Sequence, residues 1–184
     1  RTLVLLLYGA GLRIGEALAL TRVDVDLDAG VLTIRESKFY KTRLVPIGPR
    51  LTAVLRGYAD DRCQHGHCNA SGAPFFMTRT GTAVTRGQVE RAFSRLRDIA
   101  GIAREDGARY QPRLHDLRHA MAVHRLVAWY REGADVQRLL PHLATYLGHV
   151  DVAATQRYLT MTPELLREAS QRFERYAQPE VHHE

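Results

Sequence analysis

The segment from Val23 to Ile47 restricts the fold of this chain most, because it carries the pattern of three short β-strands. Its first five residues alternate apolar with acidic side chains, as a half-buried strand does, and Asp28–Gly30 then form a turn. Two apolar runs follow, Val31–Arg35 and Leu44–Ile47, and Pro46 favours an edge position for the last strand. The segment therefore predicts a small three-stranded antiparallel sheet.

The remainder of the chain has the pattern of helices. Glycines end the first apolar segment, and later segments repeat apolar residues at helical spacing. The predicted helices are Thr2–Tyr8, Ile14–Leu20, Leu51–Tyr58, Thr85–Ile99, His115–Glu132 and a short helix around Tyr158. Cys63–Pro74 is predicted to be a surface loop, and Asp135–His142 a connection. The expected class is mainly α with a small three-stranded antiparallel sheet (α+β).

Five side chains that suit phosphodiester chemistry follow one another along the chain: Arg13, His115, Arg118, His149 and Tyr158. Two arginines can clamp a phosphate, because each guanidinium offers a flat fork of donors and stays charged. A tyrosine hydroxyl is mostly protonated at neutral pH, so Tyr158 needs a proton acceptor or an electropositive site. His115 is the candidate acceptor, and its spacing from Arg118 places both on one helical face. These residues predict a site that binds and attacks a phosphodiester.

The spacing of His149 and Tyr158 requires a break in the chain between them. Nine residues on one unbroken helix, at about 100° per residue, would put the two side chains on opposite sides. Asp151 is the candidate helix N-cap, followed by a predicted helix over Val152–Leu159. His149 is then expected in the preceding turn.

The order, spacing and contexts of these residues (Gly-Leu-Arg, His-Asp-Leu-Arg-His and Leu-Gly-His) resemble the catalytic domain of the tyrosine recombinase, or phage integrase, family. The resemblance covers nearly the whole chain. It implies the tyrosine recombinase catalytic-domain fold and cleavage of DNA by Tyr158 through a covalent 3′-phosphotyrosyl intermediate, without metal or nucleotide cofactor. It also implies that Arg13 and Arg118 bind the phosphate, that His115 handles the proton, and that His149 donates to the phosphate.

The same resemblance implies a general acid in the hairpin of the sheet. Ser37–Ile47 is similar to the family's Gly-Lys-Gly-x-Lys-x-Arg-x-Val-Pro-Leu signature, which places Lys38 at the position that protonates the departing 5′-oxygen. Ser37 and Phe39 replace the usual glycines, so Lys41 is kept as the alternative.

Charge agrees with a DNA partner. Lys and Arg outnumber Asp and Glu by 26 to 20, giving +6 and a pI near 9.7, which favours a polyanion. Four residues are predicted DNA contacts, with ordinary solvated charges as the alternative: Lys41, Arg43, Arg86 and Arg113. The resemblance also implies that Glu16 braces the first arginine. No apolar run is long enough to span a membrane, and a cytoplasmic protein is expected.

We predict a single catalytic domain over residues 1–184, with a core at 1–161 and a C-terminal helix at 162–178. We expect the N-terminal core-binding domain of the family to be absent from this chain. The helix has an apolar stripe that either packs on its own domain or docks on a neighbouring protomer. The expected partners are double-stranded DNA with a specific recombination site and further protomers, as a tetramer on synapsed DNA and a monomer in isolation.

The segment Cys63–Cys68 contains two cysteines and two histidines, but it is too short to surround one ion tetrahedrally. The expectation is no metal site and reduced thiols in a surface loop, and elemental analysis for zinc tests it.

The sequence thus predicts a site-specific recombinase or integrase catalytic domain. Two alternatives remain open. One is a type IB topoisomerase-like activity with the same chemistry and a different outcome, and the other is a DNA-binding module without catalysis.

Overall fold

The computed structural model describes residues 1–37, 41–66, 72–107, 109–149, 151, 153–156, 158 and 165–171, with the backbone alone for 36, 37 and 41. The chain forms two compact units, residues 1–119 and 120–184, whose boundary falls within one helix. The elements are α1 (Thr2–Gly9), α2 (Ile14–Ala19), β1 (Val25–Asp26), β2 (Val31–Ser37), β3 (Lys41–Pro46), α3 (Pro49–Gln64), α4 (Arg86–Ile99), α5 (Leu114–Arg131), α6 (Val136–Leu147) and α7 (Ala153–Gln156). The predicted class, mainly α with a three-stranded antiparallel sheet, is confirmed.

The sheet has the order β1-β2-β3, and both pairs of strands are antiparallel. Leu32 pairs with Val25 on one side and with Val45 on the other, and all three side chains are buried. Ile34 pairs with Arg43 on the neighbouring strand. The prediction that the last strand lies at an edge is confirmed. Alternation along β2 explains the arrangement, because every second side chain of a strand points to the core.

The first strand is shorter than predicted. Arg22–Asp24 form a turn of 3₁₀ helix and Leu27 belongs to the turn after the strand, so the predicted strand is wrong at its first two positions and at its last. The buried Asp24 carboxylate accepts hydrogen bonds from the backbone N–H and hydroxyl of Thr21 and from Arg35 of β2. Burial raises the pKa of Asp24, but these donors outweigh it and lower the pKa overall. Asp24, which the alternation predicts to be a strand residue, instead caps the 3₁₀ turn with its carboxylate.

Helices of the first unit begin and end at recognisable signals. The hydroxyl of Thr85 accepts from the backbone of Gln88, and the Gln88 side chain accepts from Thr85 in return, which is a capping box for α4. α3 runs longer than predicted and ends at Gln64. Of the apolar stripe predicted along α4, Val89 is buried, whereas Ile99 is 76% exposed.

The second unit is built around α6. Asp135 caps this helix through the backbone N–H of Arg138, and Gly148 ends it at a φ of 69°. Leu140 and Leu147 of α6 pack with Leu126 of α5 in one apolar cluster. The prediction of a connection over Asp135–His142 is wrong, because α6 begins at Val136 and presents an apolar face.

Residues 165–171 are helical and pack within the second unit. Leu165 is buried in the same apolar cluster, whereas Leu166 is 58% exposed. Glu168 accepts a hydrogen bond of 2.9 Å from Arg131. Residues 165–171 of the predicted C-terminal helix thus contact their own unit. The rest of its stripe lies outside the described residues.

Cys63, in the last turn of α3, is disulfide-bonded, so the expectation of a reduced thiol there is wrong. A disulfide sulfur is not a thiolate, and a thiolate is what zinc binds. The other cysteine, Cys68, lies outside the described residues.

None of the described helices is long and apolar enough to cross a membrane.

Candidate active site

Arg13 stands at the turn between α1 and α2. Gly11 has a φ of 60°, a conformation that glycine adopts at little cost. Leu12 is buried, and Arg13 then caps α2 with an extended backbone. This turn leaves the Arg13 side chain 34% exposed. The turn at Gly11, the buried Leu12 and the capping position of Arg13 thus leave the side chain of this arginine partly exposed.

Glu16 holds Arg13 from inside the first turn of α2. Its carboxylate accepts from the Arg13 backbone N–H at 3.0 Å and from the Arg13 Nη1 at 2.8 Å. The predicted brace between the two residues is therefore present in the geometry.

Arg43 of β3 reaches the same carboxylate. Its Nη1 and Nη2 donate to the two oxygens of Glu16 at 3.0 and 2.8 Å, and the two side chains are 10% and 9% exposed. Burial alone raises the pKa of Glu16, but the hydrogen bonds from Arg43 and Arg13 and the charge of Arg43 lower it to about 2. Glu16 is therefore an anion at every physiological pH.

Arg118 is a buried arginine, only 1% exposed. Its Nη1 donates to the carbonyl oxygen of Gly11 at 2.6 Å. The glycine turn before Arg13 and the helix of Arg118 are thus joined by a charge-assisted hydrogen bond.

His115 lies in the first turn of α5. Its ring contacts that of His119 edge-to-face, with centroids 4.4 Å apart. Partial burial lowers the pKa of His115, and the charges of His119, Arg118 and Arg13 lower it further, against an opposing effect of Asp116. The neutral imidazole, which can accept a proton, is therefore favoured at neutral pH.

Arg13 and His115 line one cleft of about 800 Å³ in the first unit. Arg86, Arg97 and Arg113 line the same cleft. A concave site with four guanidiniums suits a polyanion. The structure thus brings two of the predicted DNA contacts, Arg86 and Arg113, next to the predicted phosphate-binding arginine.

The three additional arginines differ in what holds them. Arg86 pairs with Glu90 at 2.7 Å and is 70% exposed. Arg113 is also well exposed, and its guanidinium lies 5.4 Å from the centre of the Tyr110 ring. The third is held more firmly.

Arg97 is a site residue that the sequence analysis missed. Its Nη1 donates to the carbonyl of Pro112, and its Nη2 donates to Ser94, both at 3.2 Å. Arg97 therefore ties α4 to the segment that leads into α5 and His115. No local spacing in the sequence pointed to this contact, because Arg97 and Pro112 are 15 residues apart.

His149 and Tyr158 lie together in the second unit. Their rings stack with centroids 6.1 Å apart, and Tyr158 is 3% exposed within the apolar cluster. Nδ1 of His149 shares a hydrogen bond of 2.7 Å with the hydroxyl of Thr155. Thr155, which is fully buried, was also missed, although its position six residues after His149 could have suggested a partner across the turn.

Asp151 makes the predicted break between His149 and Tyr158. Its carboxylate accepts from the backbone N–H of Ala153 at 2.9 Å, which confirms its capping role. The helix described after it is Ala153–Gln156, and residues 152, 157 and 159 of the predicted helix lie outside the described residues.

Arg13, His115 and Arg118 lie in the first unit, and His149 and Tyr158 lie in the second. Lys38 lies outside the described residues, and of Lys41 only the backbone at the start of β3 is described. Within the described parts of the chain, no three His, Cys, Asp or Glu side chains cluster as metal ligands would.

Residues 1–164 match the phage integrase family. A Sinorhizobium fredii protein named as an integrase/recombinase (y4rB) is 48% identical over 170 residues, which cover 92% of this chain and 54% of the relative. Tyrosine recombinase XerA of Thermococcus kodakarensis is 32% identical and is matched over 94% of this chain and 54% of its own length. The chain thus spans about half the length of these relatives.

Solved structures show the same architecture. A crystal structure of XerA recombinase has a TM-score of 0.72 at 26% identity, covering 94% of this chain and 57% of that one. The XerH site-specific recombinase bound to its difH substrate has a TM-score of 0.65 at 24% identity, covering 95% and 45%.

Proposed function

Because this chain belongs to the phage integrase family, we propose that it is the catalytic part of a site-specific DNA recombinase that cuts and rejoins strands through a 3′-phosphotyrosyl intermediate. The observation that carries the proposal is the cleft in which Arg13 and His115 lie beside three further arginines. Such a cleft can hold a scissile phosphate between guanidiniums, next to a neutral imidazole.

Arg13 binds the phosphate in this account. Its guanidinium is partly exposed in the cleft, and Glu16 fixes its direction. Negative charge grows on the phosphate oxygens as the nucleophile attacks, and a fixed guanidinium stabilises it without reorganisation. Arg118, anchored on the Gly11 carbonyl, supplies a second positive charge.

Tyr158 is the nucleophile. Its phenolic oxygen forms a bond to phosphorus while the bond from phosphorus to the 5′-oxygen breaks, and the phenolic proton passes to a ring nitrogen of His115. Because the ring is 3% exposed and stacked on His149, Tyr158 must leave this buried position before the attack. We expect DNA binding to drive this movement.

The leaving 5′-oxygen takes a proton from Lys38, or from Lys41 in its place. The assignment rests on the family signature alone, since the side chains of both residues lie outside the described parts of the chain. His149 donates from a ring nitrogen to a phosphate oxygen. The reaction then needs no metal ion, because the arginines supply the positive charge that a magnesium ion would otherwise provide.

Double-stranded DNA is the proposed substrate, and further protomers are the proposed partners. The XerH structures hold the difH substrate, and Tn1549 integrase structures hold transposon-end and circular-intermediate DNA. The net charge of +6 and the arginine-lined cleft support the same partner here. We propose a tetramer on two synapsed sites.

Two alternatives share part of this account. A type IB topoisomerase-like enzyme would use the same chemistry on one duplex, and a DNA-binding module would use only the arginines. An assay with a supercoiled plasmid library of random inserts and a labelled pool of linear duplexes separates the three.

Joining of label to plasmid supports the recombinase. Relaxation without joining would overturn it in favour of the topoisomerase outcome, and neither product from folded protein that binds DNA would leave the binding module. A Tyr158→Phe variant is the matched control, because it keeps the ring and loses the nucleophile. Equal joining by this variant would contradict the assignment of Tyr158.

A further inference from the structure

Arg43 lies in β3, opposite Ile34 of β2, and its guanidinium points at α2. The sequence placed it among the DNA contacts. The structure places it against Glu16, with 10% of its side chain exposed. A side chain enclosed to this degree has little surface left for a phosphate.

The Glu16 carboxylate receives four hydrogen bonds, two from each arginine. One oxygen accepts from Arg13 Nη1 at 2.8 Å and from Arg43 Nη1 at 3.0 Å. The other accepts from the Arg13 backbone N–H at 3.0 Å and from Arg43 Nη2 at 2.8 Å. Two carboxylate oxygens have about four acceptor sites in total, so these donors saturate Glu16.

These four hydrogen bonds fix the orientation of the Glu16 carboxylate. The parallel fork from Arg43 sets the plane of the Glu16 carboxylate, and that plane determines where Arg13 Nη1 must lie. Without Arg43, Glu16 would lose two of its four hydrogen bonds, and its carboxylate could rotate. Arg13 would then keep its backbone bond while its guanidinium loses a fixed acceptor.

We propose that Arg43 is a positioning residue for strand cleavage, which holds the Arg13 guanidinium in the cleft through the carboxylate of Glu16. The inference rests on the proposed function, because Arg13 is assigned there as the phosphate ligand. Lysine cannot replace Arg43 fully, since an ammonium group is a point charge without the planar fork.

The first test measures Arg13 itself and needs no DNA. In ¹⁵N NMR spectra, the Nε–H signal of Arg13, assigned by its loss in Arg13→Lys, reports the order of this side chain. We expect an ordered signal in the wild-type protein, a mobile one in Arg43→Gln and an intermediate one in Arg43→Lys.

Arg35→Gln is the matched control for this measurement. Arg35 of β2 also pairs with a buried carboxylate, that of Asp24, but it has no contact with Glu16 among those described. Its removal should destabilise the sheet and leave the Arg13 signal ordered. An Arg13 signal that stays unchanged in Arg43→Gln overturns the inference, whatever the protein does to DNA.

The second test separates positioning from DNA contact. Single-turnover cleavage of a pool of nicked duplexes with randomised flanks is measured at saturating DNA, and binding is measured across salt concentrations. A positioning role predicts a cleavage rate about a hundredfold lower in Arg43→Gln, since misplacement of about 1 Å has this effect. It also predicts that the salt dependence of DNA binding is unchanged in Arg43→Gln. The cleavage rate should recover partly in Arg43→Lys, and the double variant Glu16→Gln/Arg43→Gln should cleave no more slowly than Arg43→Gln.

A DNA contact predicts the opposite pattern, with an unchanged rate at saturation and a salt slope smaller by about 1. That pattern would overturn the inference and leave the recombinase proposal intact. Failure of the wild-type protein to cleave any duplex would overturn the proposed function, and the NMR experiment would still decide whether Arg43 orders Arg13.

Discussion

The hydroxyl of the buried Thr155 lies 2.7 Å from Nδ1 of His149. A threonine hydroxyl can donate or accept, whereas a neutral imidazole has one donor and one acceptor nitrogen. When Thr155 donates to Nδ1, the ring proton must be on Nε2. Nε2–H is then the group that can donate to a phosphate, as the proposed role of His149 requires.

Replacing Thr155 with valine should therefore disturb the tautomer of His149. Valine keeps the shape and removes the hydroxyl, so the Nε2–H form loses its support. We expect mixed tautomers in the ¹⁵N spectrum of His149 and a cleavage rate lower by up to about tenfold, the value of one hydrogen bond. Thr155→Ser, which keeps the hydroxyl, is the control. Wild-type shifts and rate in the valine variant would show that Thr155 has no such role.

The pH dependence of cleavage should report the neighbours of His115. Its pKa is lowered below the usual 6.5, first by burial and then by the charge of His119. Cleavage should fall as the pH drops below that lowered pKa, because the protonated ring cannot accept the tyrosine proton. His119→Gln removes a positive neighbour, so the acid limb should move to higher pH. His124→Gln on the same helix is the control and should leave the limb in place.

Gly11 should matter beyond its effect on stability. Its φ of 60° strains any residue with a Cβ, and its carbonyl holds Arg118. We expect Gly11→Ala to lower the free energy of unfolding by about 1 kcal/mol and to lower the cleavage rate of the folded protein. Gly101→Ala is the control, because it has a φ of 63° with open space around its Cβ position. Equal cleavage rates in both folded variants would contradict a role for the Gly11 carbonyl.

Glu16 should contribute a pH-dependent part of the stability. Its pKa is lowered from 4.5 to about 2 in the folded chain, so its contribution is complete above about 4.5 and is lost as the pH falls toward 2. The difference corresponds to about 3 kcal/mol at neutral pH, as an order of magnitude. In denaturant unfolding at neutral pH, the wild-type protein should have a higher free energy of unfolding than Glu16→Gln. This difference should shrink as the pH falls from about 4.5 toward 2. A gap independent of pH would mean that the carboxylate is not held as described.

The sequence was sufficient for the elements with strong local signals. The alternation around Leu32 and Val45 gave the sheet, Thr85 marked the start of α4, and Asp151 marked the break before Tyr158. The order of arginine, histidine and tyrosine gave the family. Each of these features depends on residues that are close together in the sequence or on their order along it, so the sequence pattern is enough to predict them.

Contacts between distant segments were not predictable. Arg43 is separated from Glu16 by 27 residues and Arg97 from Pro112 by 15, and no spacing rule connects such pairs. The helix α6, which contains Pro141, was also missed. The proline is tolerated there, since Asp135 and Gly148 define the helix ends and the apolar face is buried.

The most direct test of the central claim is to trap the nucleophile. A pool of nicked suicide duplexes with randomised flanks is incubated with the protein in EDTA, and the DNA-linked peptide is identified by mass spectrometry. We expect a covalent adduct on Tyr158 that forms without metal and is absent from Tyr158→Phe. An adduct on another residue, or strand cleavage that persists in Tyr158→Phe, would contradict it.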